Sequence, residues 1–220
     1  MLHRLSIDSI GNVATQSQAS SSIDLRIAFQ LPFPQRQEQR RHQSQQVRQL
    51  LISQLAETLD QDYTLESLPL SKTSLGKPYL TSQPSPAISL AHSHGWAASS
   101  LSLDTEGISL LGVDIEAIRH RDWEAFAAEV FHPKETTWLM AAQDTERDRR
   151  GLTIWCRKEA IVKAIGVGIA ITLSEIAVSP AGQLIQLPIS LGSTENWNIV
   201  NDTIHDREQQ AIFAVAWKNG

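Results

Sequence analysis

Cysteine is almost absent from this chain of 220 residues, which has a single one, Cys156. That scarcity excludes a disulfide framework and any zinc site built from several cysteines. Long apolar runs are also missing. The longest, 164–171, is far shorter than the roughly 20 residues that span a bilayer, and the N-terminal stretch has no apolar segment of signal-peptide length. These absences predict a soluble, cytoplasmic protein.

Positive charge is outnumbered, with 19 Lys and Arg against 24 Asp and Glu, which argues against a general nucleic-acid binder. The 41% of hydrophobic residues suffices for a core in one domain or two small ones. Residues 1–53 hold six arginines against three acids, whereas residues 101–148 hold eleven acids against four bases. This pattern suits either an anionic ligand bound through a metal or two ordinary solvated surfaces.

Helices are predicted in both halves of the chain. Apolar residues at helical spacing predict one over about 37–59. Asp122 is a plausible N-cap for a second helix, and Pro133 can begin a third. A polar stretch, 144–151, is expected to separate these from a last helix over 152–166, which two nearby glycines would end.

Branched and alternating residues predict strands over 87–104, with a turn near His94, and over 108–115. The Gly- and Pro-containing segment 71–86 is expected to be turns and loop. Four more strands are predicted near the C-terminus, over 169–178, 183–191, 197–204 and 211–218. The fold class is therefore α+β, with antiparallel sheets flanked by helices.

The segment GVDIE, Gly112–Glu116, places two carboxylates on one face of a predicted strand. Asp114 and Glu116 would lie about 6.6 Å apart along that strand and repel each other unless a positive charge lies between them. A hard divalent cation such as Mg²⁺ would supply it. Two solvated acids at a strand end are the alternative.

The segment WCRKEAIVKAIG puts Glu159 in the middle of a mostly apolar helical stripe. A buried carboxylate needs a partner, and Lys163 lies one turn further along the helix. Glu159 is thus either half of a structural ion pair or a third metal ligand, in which case Lys163 and Lys158 would reach phosphate. The loop segments GKP (Gly76–Pro78) and AHSHG add Lys77, His92 and Ser93 as possible phosphate contacts.

Taken in order, these segments resemble the motifs of the Sfp-type 4′-phosphopantetheinyl transferase family. The resemblance covers roughly 76–178. Two departures are Ala91, where the family usually has Ser, and Cys156, where Ser or Thr is common. The matching segments are GKP (Gly76–Pro78), AHS (Ala91–Ser93), GVDIE (Gly112–Glu116), VFHPKE (Val130–Glu135), WCRKEAIVK (Trp155–Lys163) and GVG (Gly166–Gly168).

The resemblance implies two similar α/β halves related by a pseudo-twofold axis, 1–107 and 108–220, with coenzyme A in the cleft between them. The reaction would move the 4′-phosphopantetheine arm onto a serine of an apo acyl, peptidyl or aryl carrier protein and release 3′,5′-ADP. A monomer is expected, because one chain supplies both halves. Polyketide and peptide synthetases are favoured partners, and fatty-acid or aminoadipate-dependent lysine synthesis is also conceivable.

The resemblance also suggests roles for the site residues. Mg²⁺, or Mn²⁺, would be held by Asp114, Glu116 and Glu159, with Glu159 as the base. Lys163 and Lys158 would stabilise the leaving group. The residues expected to bind the phosphates of coenzyme A are Lys77, His92, Ser93, Lys158, Lys163 and, for the 3′-phosphate, Arg41 or Arg48. Ala91 would cost the phosphate pocket one hydroxyl.

Two other functions fit parts of the pattern. A hydrolase of nucleotide diphosphates could use the same acids and lysines, although the clustered glutamates of a Nudix helix are absent. The second alternative is a relative that binds coenzyme A without catalysing a reaction. The presence of all three carboxylates and of Lys163 argues against it. The apolar residues 126–131 are a candidate surface for docking of the carrier protein, although packing in the core is the favoured interpretation of Phe126.

Overall fold

The structure, a computed structural model, describes residues 2–8, 11–15, 23–31, 35–82, 85–104 and 107–220. Its N-terminal half contains a five-stranded antiparallel sheet of order β2-β1-β3-β7-β6 and a separate β4-β5 hairpin. The elements of this half are β1 (Leu2–Ile7), β2 (Val13–Thr15), β3 (Ile23–Phe29), α1 (Arg36–Leu59), β4 (Leu70–Lys72), β5 (Pro78–Leu80), β6 (Ala87–Ser93) and β7 (Trp96–Ser102).

The C-terminal half contains a three-stranded antiparallel sheet of order β11-β12-β8, a two-stranded β9-β10 ribbon and three helices. Short 3₁₀ turns occupy Gly168–Ala170, Leu173–Glu175 and Ile189–Leu191. The elements of this half are β8 (Ile108–Ala117), α2 (Trp123–Val130), α3 (Pro133–Met140), α4 (Asp144–Ile165), β9 (Ala177–Val178), β10 (Leu184–Gln186), β11 (Trp197–Asp206) and β12 (Gln209–Asn219).

The two larger sheets share one hydrophobic core and meet along their edge strands β6 and β8, and a helix covers the outer side of each. One core cluster joins both sheets, with Leu25 and Ile27 from β3 against Val113, Ile115 and other buried residues of β8 and β12. Helix α1 covers the first sheet and α4 covers β8 and β12. Side chains alternate along β8, so the face opposite to Val113 and Ile115 carries Asp114 and Glu116 toward α4.

Gly112 allows α4 to lie close to β8. A Cβ at this position would be 2.0 Å from the Ala160 carbonyl oxygen and 2.5 Å from the Ala164 nitrogen. The glycine of GVDIE is therefore required by packing, because the three atoms nearest to such a Cβ all belong to α4, whereas its φ is not in the left-handed region. The close approach brings the acidic face of β8 next to the residues of α4 that carry Glu159 and Lys163.

Several predicted elements are confirmed. Helix α1 begins within a residue of its predicted start, and its buried residues Val47, Leu50, Leu51 and Leu55 match the predicted stripe. Asp122 caps α2 by accepting a hydrogen bond from the Ala125 nitrogen. The α+β class with antiparallel sheets is also confirmed. No helix in the described part of the chain is long and apolar enough to cross a membrane.

Other predictions were wrong. The polar stretch 144–151 is the beginning of α4, not a linker. Arg and Glu are good helix formers, and Glu146 pairs with Arg150 one turn away at 3.0 Å. The segment 169–178 is mostly 3₁₀ turns, with only Ala177–Val178 as strand. The expected loop at 71–86 contains β4 and β5, and β1 and β3 were not predicted.

Candidate active site

Asp114 and Lys163 form the centre of the site. Asp114 is 5% exposed, and its Oδ1 accepts a hydrogen bond from Lys163 Nζ at 2.6 Å. Its other oxygen, Oδ2, is buried and has no hydrogen-bond partner among the described residues. Burial raises the pKa of Asp114 to about 6, and Glu116 and Glu159 add to the effect, whereas Lys163 opposes it. The site therefore concentrates negative charge that one lysine only partly balances.

Glu159 lies on α4 one turn before Lys163. Burial raises its pKa; Lys163 acts in the opposite direction, and Glu116 raises it further. Asp114 in turn raises the pKa of Lys163, although burial opposes this. Asp114, Glu159 and Lys163 are thus close enough to shift one another's pKa, and the charge of Glu116 raises the pKa of both of these acids.

Glu116 is held by residues from two other segments. Its Oε2 accepts hydrogen bonds from Ser93 Oγ and from Arg121 Nη2, each at 2.7 Å. Ser93 Oγ also lies 2.9 Å from His94 Nδ1. The hydroxyl proton of Ser93 is therefore directed to a carboxylate here, and its contact with a phosphate stays a prediction.

A cavity of about 350 Å³ lies beside these residues, between the two halves. The β4-β5 turn, β6, the C-terminal part of α4 and the turns that follow it form its walls. Glu159 and Lys163 line the same cavity as the GKP and GVG segments. The lining residues are Leu75, Gly76, Lys77, Pro78, Ser89, Leu90, Glu159, Val162, Lys163, Gly166, Gly168, Ile171 and Leu173.

Lys77 joins the GKP turn to the end of α4. Its Nζ donates a hydrogen bond to the Ala164 carbonyl oxygen, one of the carbonyls near the helix C-terminus. Burial lowers the pKa of Lys77. Gly166 ends α4 with φ of 85°, and a Cβ there would be 2.7 Å from Lys77 Cδ. The glycine thus provides both the left-handed turn and the room for the lysine.

Arg40 of α1, which sequence analysis did not single out, is the α1 arginine whose charge acts on His92. His92 lies on the face of β6 toward α1, where partial desolvation of its ring lowers its pKa and the charges of Lys163 and Arg40 lower it further. Neither Arg41 nor Arg48 lines the cavity. Arg40 lies seven residues before the buried Val47, so the helical period already placed it on the sheet-facing side of α1.

Lys158 does not reach the site, which corrects its predicted role. It is fully buried, and its ammonium group binds Glu135 Oε2 at 2.5 Å and the carbonyl oxygens of Val130 and Leu173 at 2.7 and 3.0 Å. These three partners use all three donors of a lysine, so none remains for a phosphate. Glu135 belongs to the segment VFHPKE, so this segment supplies the buried carboxylate that pairs with Lys158.

The two departures from the family pattern lie in the interior. Ala91 is 3% exposed and belongs to the core cluster between the sheets. The side chain at position 91 therefore faces the core rather than the cavity. Contrary to the prediction, alanine in place of serine there takes no hydroxyl away from the phosphate pocket. Cys156 is fully buried, and its Sγ lies 3.4 Å from the Ile212 carbonyl oxygen. Burial raises the pKa of this thiol, and Asp114 adds to the effect.

The donor set fits a hard divalent cation in its chemistry. Asp114 Oδ2 is an orphaned buried oxygen, and carboxylate oxygens are the ligands that Mg²⁺ prefers. Within the described residues, no three acidic, His or Cys side chains are already grouped closely enough to hold a metal ion. Lys163 provides the positive charge beside Asp114 in this structure.

Comparison with known proteins agrees with this site. The profile of the 4′-phosphopantetheinyl transferase superfamily matches residues 110–216, from β8 to β12. A Haemophilus influenzae protein assigned as a 4′-phosphopantetheinyl transferase is 28% identical over 199 residues, which are 80% of this chain and 83% of that protein. The 4′-phosphopantetheinyl transferase HetI of Nostoc is 32% identical over 108 residues, 48% of this chain and 43% of HetI.

A Synechocystis protein, slr0495, assigned to the same class, is 26% identical over 64% of this chain and 58% of its own length. The chain thus spans about half the length of the two cyanobacterial relatives. A Bacillus anthracis holo-(acyl-carrier-protein) synthase solved with coenzyme A has a TM-score of 0.39 and 17% identity, covering 52% of this chain and 99% of that one. In its sequence matches and its ordered motifs, the chain is similar to enzymes of the 4′-phosphopantetheinyl transferase superfamily.

Proposed function

We propose that this protein transfers the 4′-phosphopantetheine arm of coenzyme A to a serine of an apo carrier protein. The observation that carries the proposal is the shared cavity. Three sequence-distant segments meet there, and Glu159 and Lys163 lie on its wall with Asp114 bound to Lys163. Such a cleft, apolar with a few convergent charged groups of shifted pKa, is typical of an active site.

Coenzyme A would lie in this cleft between the two halves, 1–107 and 108–220. Its diphosphate is anionic, and Lys77 and Lys163 on the cavity wall would face it as cations. The apolar part of the wall, including Leu90 and Val162, suits the pantetheine arm. Both walls come from one chain, so a monomer would suffice, and we place the reaction in the cytoplasm.

Asp114, Glu116 and Glu159 would hold Mg²⁺. When bound, the ion would neutralise negative charge on the diphosphate. In the free protein, repulsion among these three acids contributes to the raised pKa of Asp114. Removal of metal by a chelator is expected to stop the transfer and to leave the fold intact, because Lys163 already pairs with Asp114 and Arg121 with Glu116 in the metal-free structure.

The reaction forms a bond between the serine oxygen and the phosphorus next to pantetheine, and breaks the bond from that phosphorus to the 3′,5′-ADP oxygen. Glu159 is the candidate acceptor of the serine proton, because burial raises the pKa of its carboxyl toward neutral pH. The Lys163 ammonium would stabilise the charge that develops on the departing phosphate. Neither role is available to Lys158, whose donors are satisfied elsewhere.

The carrier protein would dock near the mouth of the cleft. Phe126 on α2 is 42% exposed, so the prediction that it packs in the core was wrong. Helix α2 packs beside the turn Leu173–Glu175, of which Leu173 lines the cavity. The position suits an apolar contact with a partner next to the reacting groups.

The test is to incubate the protein with Mg²⁺, coenzyme A and an apo carrier protein and to measure the intact mass of the carrier and the release of 3′,5′-ADP. We expect the carrier to gain the mass of one arm. Glu159→Gln should slow this by about 10²–10⁴-fold, the usual contribution of a general base. Glu146→Gln, on the exposed start of the same helix, should have no effect. Release of 3′,5′-ADP without a gain of mass would make the protein a hydrolase instead.

A further inference from the structure

The guanidinium of Arg121 lies between two indole rings. Its Cζ is 5.6 Å from the ring centroid of Trp123 and 5.5 Å from that of Trp155. The side chain is 14% exposed, and its Nη2 donates to Glu116 Oε2 at 2.7 Å. Stacking on both rings fixes a side chain that would otherwise be flexible, so the carboxylate it binds is fixed as well.

The surrounding structure holds this arrangement in place. Asp148, which is buried, accepts hydrogen bonds from the Arg121 backbone nitrogen at 3.2 Å and from Trp123 Nε1 at 2.8 Å. Gly151 lets the Trp123 ring lie against α4, since a Cβ there would be 2.5 Å from the ring. The loop after β8 is therefore tied to the first half of α4, and Trp155 comes from the same helix.

We propose that Arg121 is a positioning residue for Glu116. Together with Ser93 it binds Oε2, and in the described part of the chain no hydrogen bond reaches Oε1. Glu116 is thus held through one oxygen, and the other would be free to bind the divalent cation. This inference rests on the proposed function, because it assigns Arg121 to the cation site of that reaction.

The choice of arginine follows from charge and shape. Glu116 and the buried Asp114 are neighbours of like charge, as the raised pKa of Asp114 reflects. A guanidinium keeps its charge at every physiological pH and presents planar donors that orient a carboxylate. A lysine would keep the charge but lose the stacking on the two indoles and part of the orientation.

The chain offers a matched control. Arg150 also stacks on an indole, that of Trp138 at 5.1 Å, and also pairs with a glutamate, Glu146 at 3.0 Å. It stands nine residues before Glu159 on α4, about 13 Å along the helix axis. Arg150→Ala removes the same kind of interaction away from the three acids.

The experiment measures Mn²⁺ binding to the protein without coenzyme A, by the loss of free Mn²⁺ signal in electron paramagnetic resonance. Arg121→Ala should weaken binding about tenfold or more, and Arg121→Lys less, the scale typical of residues that orient metal ligands. Arg150→Ala should bind as the wild type does. Arg121→Lys keeps the test valid if the alanine variant fails to fold.

Wild-type affinity in folded Arg121→Lys and Arg121→Ala would overturn the proposal. So would equal weakening in Arg150→Ala, which would indicate a general effect of lost stability. Arm transfer is measured separately with the carrier. A wild type that binds Mn²⁺ but transfers no arm would refute the proposed function, while the comparison of the Arg121 variants would still decide the role of Arg121.

Discussion

Two lysines on one helix show how much a single residue's direction matters. Lys158 and Lys163 both belong to the motif on α4, but five residues correspond to 140° around a helix. Lys163 shares its face with Glu159 and reaches Asp114, whereas Lys158 points into the interior and binds Glu135. The helical period indicates this difference, but the sequence does not reveal that Glu135 supplies the interior partner.

We therefore predict that Lys158→Met acts on stability. Removing the lysine leaves the carboxylate of Glu135 buried without its cation, which should lower the free energy of unfolding by about 3–5 kcal/mol. Urea unfolding measures this, with the exposed Lys134→Met as a control that should change little. Wild-type stability together with lost arm transfer would instead restore a catalytic role for Lys158.

His3 provides a prediction about pH at a residue far from the site. Burial lowers the pKa of His3 below its usual 6.5, although Asp206, 3.9 Å away, opposes this. The unfolded chain therefore takes up a proton at a pH where the folded protein does not. The contribution to stability is present above the usual pKa and is lost as the pH falls below it.

The measurement is the free energy of unfolding at pH about 7.5 and about 5.5, on either side of the ordinary histidine pKa. The wild type should lose more stability over this interval than His3→Gln does. The exposed His205→Gln serves as a control and should follow the wild type. Identical losses in the wild type and His3→Gln would contradict the prediction.

At the scale of elements, the contact between β8 and α4 brings the acidic and basic groups together. The strand supplies Asp114 and Glu116, the helix supplies Glu159 and Lys163, and Gly112 lets them approach. Strand alternation and the helical period predicted both sets of side chains. Neither pattern indicates that these two elements are neighbours; that followed only from the resemblance to a family.

Gly112→Ala should disrupt this contact. The new Cβ would overlap the backbone of α4, which cannot move as a flexible side chain could, so we expect a loss of about 3 kcal/mol or more and reduced transfer. Urea unfolding and the carrier assay measure the two effects.

Gly76→Ala is a useful comparison. Its φ of 90° makes alanine strained by about 1–2 kcal/mol, but nothing lies within 4 Å of the new Cβ. A Gly112 variant no less stable than the Gly76 variant would contradict this account of the packing.

Element boundaries were predicted less well where tertiary contacts decide them. The charged beginning of α4 has no apolar stripe, but Asp148 is buried against Trp123 and Arg150 stacks on Trp138, which keeps it helical. In 169–178, branched residues favour a strand by propensity, yet turns form there because the segment lines the cavity and covers Lys158. Local patterns carry no information about either contact.

For the whole molecule, the fold class and the gathering of the motifs could be predicted, but the detailed contacts could not. The uneven charge of the chain did not become a basic half facing an acidic one. Arg4 and Arg26 pair with Glu57 inside the N-terminal half, and Glu135 and Asp148 are buried in the C-terminal half. Formal charge along a sequence does not show which charges are already neutralised by neighbours in the fold.

The central claim is that coenzyme A binds in the cleft between the halves with its diphosphate at the Glu159–Lys163 end. A crystal structure of the protein with coenzyme A and Mg²⁺ tests this most directly. We predict diphosphate oxygens within hydrogen-bonding distance of Lys163, with Lys158 still bound to Glu135. Coenzyme A bound outside the cavity, or a diphosphate contacted by Lys158, would contradict the account.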